Sequence, residues 1–232
     1  DIQWIALSFV RSASDIHLLR EKIDAAKKTN KPGIIAKIEK PQAIANIEAI
    51  VEAADGIMIA RGDLGVEIPM EQVPMIQKRI IRLCQQKGKP VIVATQMMEA
   101  MISSIRPTRA EVSDVANSVL DGADALMLSG ETSVGKYPVE TIRIMQQIIN
   151  QIEGYEAIYY RHEMPYDPSH PRFISDSVLY AACNMAQSTN ASALILVTHT
   201  GYSARRMAAH RPRARLFAFS GNAFVLRQMN LL

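Results

Sequence analysis

Short apolar runs alternate with amphipathic stretches along the chain. Trp4 to Phe9, Gly33 to Ile38, Gly56 to Ala60, Pro90 to Ala94 and Ala125 to Leu128 are rich in Ile and Val and lack in–out alternation. Strands covered on both faces read this way, as in a parallel sheet. Helical patterns fill the gaps. Residues 12–30 place Ile16, Leu19, Ile23 and Ala26 on one stripe behind a Ser/Asp start. Further helices are predicted over 43–54, over 71–89 with Gly88 as a C-cap, over 107–122 closed by Gly122, and over 137–153. Strand starts recur about every 30 residues, the length of one βα unit.

What ends each run matters as much as the runs. They close on Ser8-Phe9-Val10-Arg11, Lys37-Ile38-Glu39, Arg61-Gly62-Asp63, Thr95-Gln96 and Ser129-Gly130-Glu131. Every strand therefore delivers polar groups at its carboxyl end. An open doubly wound sheet uses only the ends beside its switch point, and no G-x-G-x-x-G follows the first strand. A (β/α)₈ barrel gathers all its strand ends at one mouth. The expected fold is α/β: a partial barrel, its last five βα units, over residues 1–153, followed by an incomplete α/β domain. Residues 154–172, rich in Pro and Tyr, read as a linker, and 173–232 as the second domain, with strands in "ALILVTHTG" and "RLFAFSG".

Composition narrows the classes without choosing among them. Hydrophobic residues make up 48% of the 232 and charged residues 21%, as in a soluble globular protein. A net charge of +3 gives no reason to expect nucleic acid or a membrane surface as partner. No run approaches the roughly 20 apolar residues of a membrane span. Two cysteines, Cys84 and Cys183, both in helical patterns, fit a reducing, cytoplasmic setting. The chain opens on Asp1 in a strand-like run and stops within a helical pattern, so it is expected to be a fragment.

Lys37 and Glu39 lie two apart on a strand and so share a face. Alone, such a pair reads as a solvated strand end, and Arg61-Gly62-Asp63 alone reads as a turn. Together, Glu39 and Asp63 offer two carboxylates from neighbouring strands, a donor set that suits Mg²⁺ or Mn²⁺. Lys37 beside such an ion would neutralise charge on a phosphoryl group or an enolate oxygen. Gly62 lets the backbone approach a substrate, and its N–H can bind a carboxylate. Met97, Met98 and Met101 read as packing.

The segments "IIAKIEKPQAI", "GIMIARGDLGVEI", "VIVATQMMEAMI" and "RPTRAEVSDVANSVLDGADALMLSGETSVGKYP" resemble pyruvate kinase, and the resemblance runs from Trp4 to about residue 230. It implies transfer of the phosphoryl group of phosphoenolpyruvate to ADP, giving pyruvate and ATP, with Mg²⁺ and usually K⁺. By the same resemblance Lys37 stabilises the phosphoryl group and the enolate. Glu39 and Asp63 bind the divalent metal, and Gly62 and Asp63 offer N–H groups to the substrate carboxylate. Thr95 lies over the substrate, and Ser129 and Glu131 are candidates for a proton relay.

The five strands correspond to the fourth to eighth of the family's barrel. The first three, with an arginine for the substrate phosphate, the K⁺ ligands and part of the nucleotide site, have no counterpart among these residues. The chain alone is expected to be catalytically incomplete. In "VTHTGYSARR", Thr198, Thr200, Gly201 and Ser203 fit a loop that in some members binds the phosphate of an allosteric sugar phosphate. The same hydroxyls also read as simple helix caps. The resemblance further implies a homotetramer for the longer enzyme. Two other readings stay open: a metal-dependent aldolase or lyase on the same barrel, separated by ADP dependence, and a non-catalytic regulatory or assembly piece.

Overall fold

The computed structural model describes residues 2–27, 29–161 and 167–232. Strands β1 (Trp4–Leu7), β2 (Gly33–Ile38), β3 (Gly56–Ala60), β4 (Val91–Ala94) and β5 (Ala125–Met127) form one parallel sheet in sequence order. Consecutive strands are neighbours throughout, with Lys37 opposite Met58 and Ala60 opposite Ala94. That order is the one a barrel requires. A doubly wound sheet reverses direction from its first strand.

Between the strands run α1 (Ala13–Ala25), α2 (Pro41–Ala45), α3 (Ile47–Ala53), α4 (Arg61–Glu67), α5 (Val73–Lys87) and α6 (Arg109–Asp121). Two helices follow β5: α7 (Gly130–Ser133) and α8 (Pro138–Glu153). The helix expected over 43–54 is broken. Asn46, at φ −105° and ψ 17°, separates α2 from α3. The segment after β3 is a seven-residue helix, not a bare turn. Gly88 and Gly122 both adopt the left-handed conformation that ends a helix without a Cβ clash, at φ 62° and 99°.

Each face of the sheet has its own core. Ile34, Ala36, Ile38, Ile57, Ile59, Val91 and Val93 face the helices, within a large apolar cluster that also takes in Met97, Met98 and Met101. Ile35, Met58, Ile92 and Ala94 form a smaller cluster on the other, inner face. By alternation along β2, Lys37 and Glu39 follow Ile35 onto that inner face. At the opposite end of the strands, Asp55 and Asp124 each accept an N–H near the start of a neighbouring strand, from Ile34 at 2.9 Å and from Val91 at 2.8 Å.

The second unit comprises α9 (Phe173–Ser188), β6 (Ala193–Val197), α10 (Tyr202–Ala209), β7 (Arg215–Phe219) and α11 (Ala223–Met229). Its parallel pair packs Leu194, Leu196 and Leu216 against Leu179, Cys183 and Met207. Ile195, Val197, Phe217 and Phe219 point to the exposed opposite face. Arg206 and Arg211 fasten this unit to the barrel: Arg206 Nη1 donates to the Gln86 carbonyl at 2.7 Å, and Arg211 pairs with Asp124 at 2.8 Å. Leu231 packs on the inner core of the barrel sheet, and Gln228 Nε2 donates to the Gln3 carbonyl at 3.1 Å. Residues 162–166 of the expected linker lie outside the described residues. Its flank is ordered: a 3₁₀ turn spans Glu156–Ile158, Ile158 is buried, and the Tyr160 N–H donates to the Arg211 carbonyl at 2.8 Å.

Candidate active site

The end of β2 presents the most unusual pair in the barrel. Glu39 is 1% exposed, a degree of burial that carboxylates rarely show without compensation. Its Oε2 accepts the Phe9 N–H at 2.7 Å. Phe9 takes φ +56°, a conformation costing about 1 kcal/mol for a bulky residue, which aims that N–H at the carboxylate. Lys37 Nζ lies 2.6 Å from Oε1 and donates to the Ser8 hydroxyl at 3.0 Å. Oε1 nonetheless has no hydrogen-bond partner among the described residues, because its ammonium neighbour is off the hydrogen-bonding direction. A buried carboxylate oxygen with spare lone pairs could serve one position of a divalent ion if the ammonium beside it turned away.

Asp63 stands in the first turn of α4, directly after β3, and is exposed. No hydrogen bond or ion pair occupies its carboxylate among the described residues. Lys40 Nζ ties the far end of α4 to the β2 exit by reaching Glu67 Oε1 at 2.6 Å. Among the described residues no group of three or more His, Cys, Asp or Glu side chains gathers. Glu39 and Asp63 are the two carboxylates at the β2 and β3 ends, oxygen donors of the type that suits Mg²⁺.

The β3 and β4 exits are joined by Arg61, which the sequence marks only as a charge beside Gly62. Its side chain is 8% exposed. The guanidinium donates to the carbonyls of Thr95 at 2.9 Å and Gln96 at 2.8 Å, and to Asp114 Oδ1 at 2.7 Å. Those carbonyls belong to two successive left-handed residues, Thr95 at φ 67° and Gln96 at φ 52°. In that shape Thr95 Oγ1 accepts the Gly62 N–H at 2.7 Å and donates to the Ala94 carbonyl at 2.6 Å. The Gly62 N–H assigned to a substrate carboxylate is therefore bonded to Thr95 here. A Cβ on residue 62 would sit 3.2 Å from Thr95 Oγ1, so glycine sets how close the two loops lie.

Glu131 has a different setting from the one its place in the motif suggests. It is 2% exposed, and its two oxygens accept the amides of Met98 at 3.2 Å and Ser129 at 2.7 Å. The carboxylate braces the β4 and β5 exits against each other. Ser129 is half-buried at the N-cap of α7, and its carbonyl accepts the amides of Thr132 and Ser133. Lys37, Glu39, Gly62, Asp63, Thr95, Ser129 and Glu131 all lie at the carboxyl ends of β2 to β5 or in the first turn beyond them.

The effector-loop residues lie apart, between β6 and α10. Thr198 is buried, and its hydroxyl accepts the Gly201 N–H at 3.0 Å. Gly201 is left-handed at φ 78°, Thr200 Oγ1 accepts the Tyr202 N–H at 3.4 Å, and Ser203 lies in the first turn of α10. Cys84 and Cys183 are both free and buried, and no helix among the described residues is long and apolar enough to cross a membrane.

Comparison with known proteins agrees with this layout. Residues 1–142 match the family described as "Pyruvate kinase, barrel domain", and residues 176–232 match "Pyruvate kinase, alpha/beta domain". A pyruvate kinase of Mycobacterium tuberculosis is 49% identical over 94% of this chain and 45% of its own length. Pyruvate kinase 2 of Synechocystis is 46% identical over 100% of this chain and 38% of its own length. The crystal structure of a pyruvate kinase from Cryptosporidium parvum superposes with a TM-score of 0.90 at 38% identity, covering 100% of this chain and 48% of that one. The chain spans less than half the length of each of these relatives. With strand order, strand-end chemistry and both domain matches in agreement, this chain belongs to the pyruvate kinase family.

Proposed function

We propose that this chain carries the phosphoryl- and metal-facing part of a pyruvate kinase, which moves the phosphoryl group of phosphoenolpyruvate to ADP and releases pyruvate and ATP. The observation that carries this reading is the Lys37–Glu39 pair, an ammonium 2.6 Å from a buried carboxylate at the inner end of β2. Phosphoryl transfer asks a protein mainly for positioning and charge stabilisation. As an ADP oxygen attacks phosphorus, the bond to the enol oxygen breaks and leaves an enolate. Lys37 would take up negative charge on the moving group and on that oxygen. Glu39 and Asp63 would hold Mg²⁺ or Mn²⁺, which when bound would offset negative charge on the substrate.

Gly62 and Asp63 would present backbone N–H groups to the substrate carboxylate, the Gly62 N–H exchanging its Thr95 partner for the substrate. Thr95 would lie over the substrate, and Ser129 would be the hydroxyl that relays a proton to the enolate carbon. Glu131, with both oxygens bonded to amides, fits this scheme best by fixing where Ser129 and Met98 lie. K⁺ would be held outside these residues. The Thr198, Thr200, Gly201 and Ser203 loop is the candidate phosphate site of an effector, and a homotetramer in the cytoplasm is the expected working form.

The direct test replaces Lys37 with Met in a protein that supplies the remaining barrel strands around this sequence. ADP-dependent pyruvate formation is expected to fall below about a tenth of the parent rate, since a single charge stabiliser is typically worth about 100-fold or more. A variant keeping more than that tenth contradicts the role. Pyruvate formation that does not depend on ADP would point to aldolase or lyase chemistry instead. The 232-residue chain alone is expected to form no pyruvate from phosphoenolpyruvate and ADP.

A further inference from the structure

A polar cavity lies at the other end of the barrel strands, where the two domains meet. Helices α3 and α5 end there, opposite the start of α9 and one side of α10. The cleft measures about 540 Å³. Six Lys and Arg side chains line it against three carboxylates. Those carboxylates are already engaged. Glu52 pairs with Lys87 at 3.0 Å, and Asp167 accepts the Ser169 hydroxyl at 2.6 Å. Asp176 accepts the Tyr202 hydroxyl at 2.7 Å and lies 3.6 Å from Arg206.

Arg161, Arg172 and Lys89 have weaker company. The Arg172 guanidinium stacks 3.9 Å above the Tyr202 ring, and Arg161 donates to the Asp121 carbonyl at 3.2 Å. Neither pairs with a carboxylate among the described residues. Lys89 Nζ donates to the Ala54 carbonyl at 2.6 Å, and burial lowers its pKa below the usual lysine range. Arg206 Nε is buried without a hydrogen-bond partner among the described residues, while Arg206 Nη1 holds the Gln86 carbonyl across the domain junction. Guanidinium groups so arranged are donors for oxyanions, above all for phosphate. Clefts between domains are common places for small ligands.

We propose that this cleft binds a small phosphorylated anion that bridges the barrel and the second domain. It adjoins the β6–α10 loop through Tyr202, but Thr198, Thr200, Gly201 and Ser203 do not line it. A ligand here touches the end of α5 on one side and α9 and α10 on the other. Binding therefore stiffens the junction already held by Arg206.

Inorganic pyrophosphate is the probe, titrated calorimetrically into the 232-residue chain at low ionic strength. Saturable one-site binding is expected, with a Kd below about 1 mM. Arg172→Glu and Arg161→Glu, at exposed positions, are each expected to weaken it about tenfold or more. Ser203→Ala, which removes a hydroxyl of the neighbouring loop without adding charge, is expected to leave it within about twofold. Absence of saturable binding, parent affinity in both charge-reversal variants, or loss of binding in Ser203→Ala would overturn the proposal. Amide hydrogen exchange on the unmodified chain adds a test that needs no variant. Pyrophosphate is expected to slow exchange in residues 85–89 and 202–210 together, and slowing in only one group or in neither contradicts a bridging site.

Discussion

At the scale of single residues, the strand tips are shaped by charges turned inward onto the backbone. Arg61 holds two left-handed residues by their carbonyls, and a lysine offers no planar fork to span Thr95, Gln96 and Asp114 at once. Arg61→Lys is therefore expected to cost about 1–3 kcal/mol in urea unfolding and to speed amide exchange at Met97 and Met98. Unchanged exchange there would show that the turn holds its shape without the guanidinium. Glu131→Gln keeps the size of the side chain but leaves one of two amides facing an NH₂ group, a loss of about 1–3 kcal/mol by the same assay.

Asp124 gives a pH signature. Burial, the largest influence, raises its folded pKa above 3.8, with the Arg211 charge opposing. A raised folded pKa stabilises the fold below the unfolded value and loses that contribution as pH climbs through the folded one. Asp124→Asn should flatten that portion of the stability curve above pH 3.8, measured by urea midpoints. An unchanged slope contradicts it. None of these partnerships shows in the sequence. Arg61 and Asp114 are 53 positions apart, and nothing local marks which charge turns inward.

At the scale of elements, the strands were the most legible part. Runs apolar on both faces occur where helices cover one side and a barrel interior the other, and the observed strands fall within the expected spans. Helix ends were legible where glycine supplies a left-handed cap. Gly88 carries a second constraint, because a Cβ there would sit 2.6 Å from Arg206 Cδ. Gly88→Ala is expected to destabilise the chain by about 1–2 kcal/mol and to loosen the domain junction, read as faster exchange in α10. Stability within error of the parent would mean that Arg206 simply moves aside. The short helix α4 was hidden. Seven residues with two glycines and no capping side chain lack helical periodicity, and its form depends on packing over β3 and on the Lys40–Glu67 tie. The break at Asn46 likewise lies within a continuous apolar pattern, where periodicity alone reads one helix.

At the scale of the molecule, two sheets of unequal completeness share one chain. The barrel sheet ends on β1 and β5, each paired on one side only, and Leu231 lies over its inner core. The site was legible as a set of strand tips because a parallel barrel brings such tips to one mouth whatever its loops do. Its internal wiring was not, since the Glu39–Phe9 and Gly62–Thr95 bonds join residues 30 and 33 positions apart. The account rests on Glu39 and Asp63 serving one divalent ion beside Lys37. Titration of Mn²⁺ into this chain, followed by electron paramagnetic resonance of the free ion, tests that without any turnover. The account predicts one site, weakened by about tenfold or more in Glu39→Gln and again in Asp63→Asn. Equal Mn²⁺ affinity in the parent and both variants would contradict it.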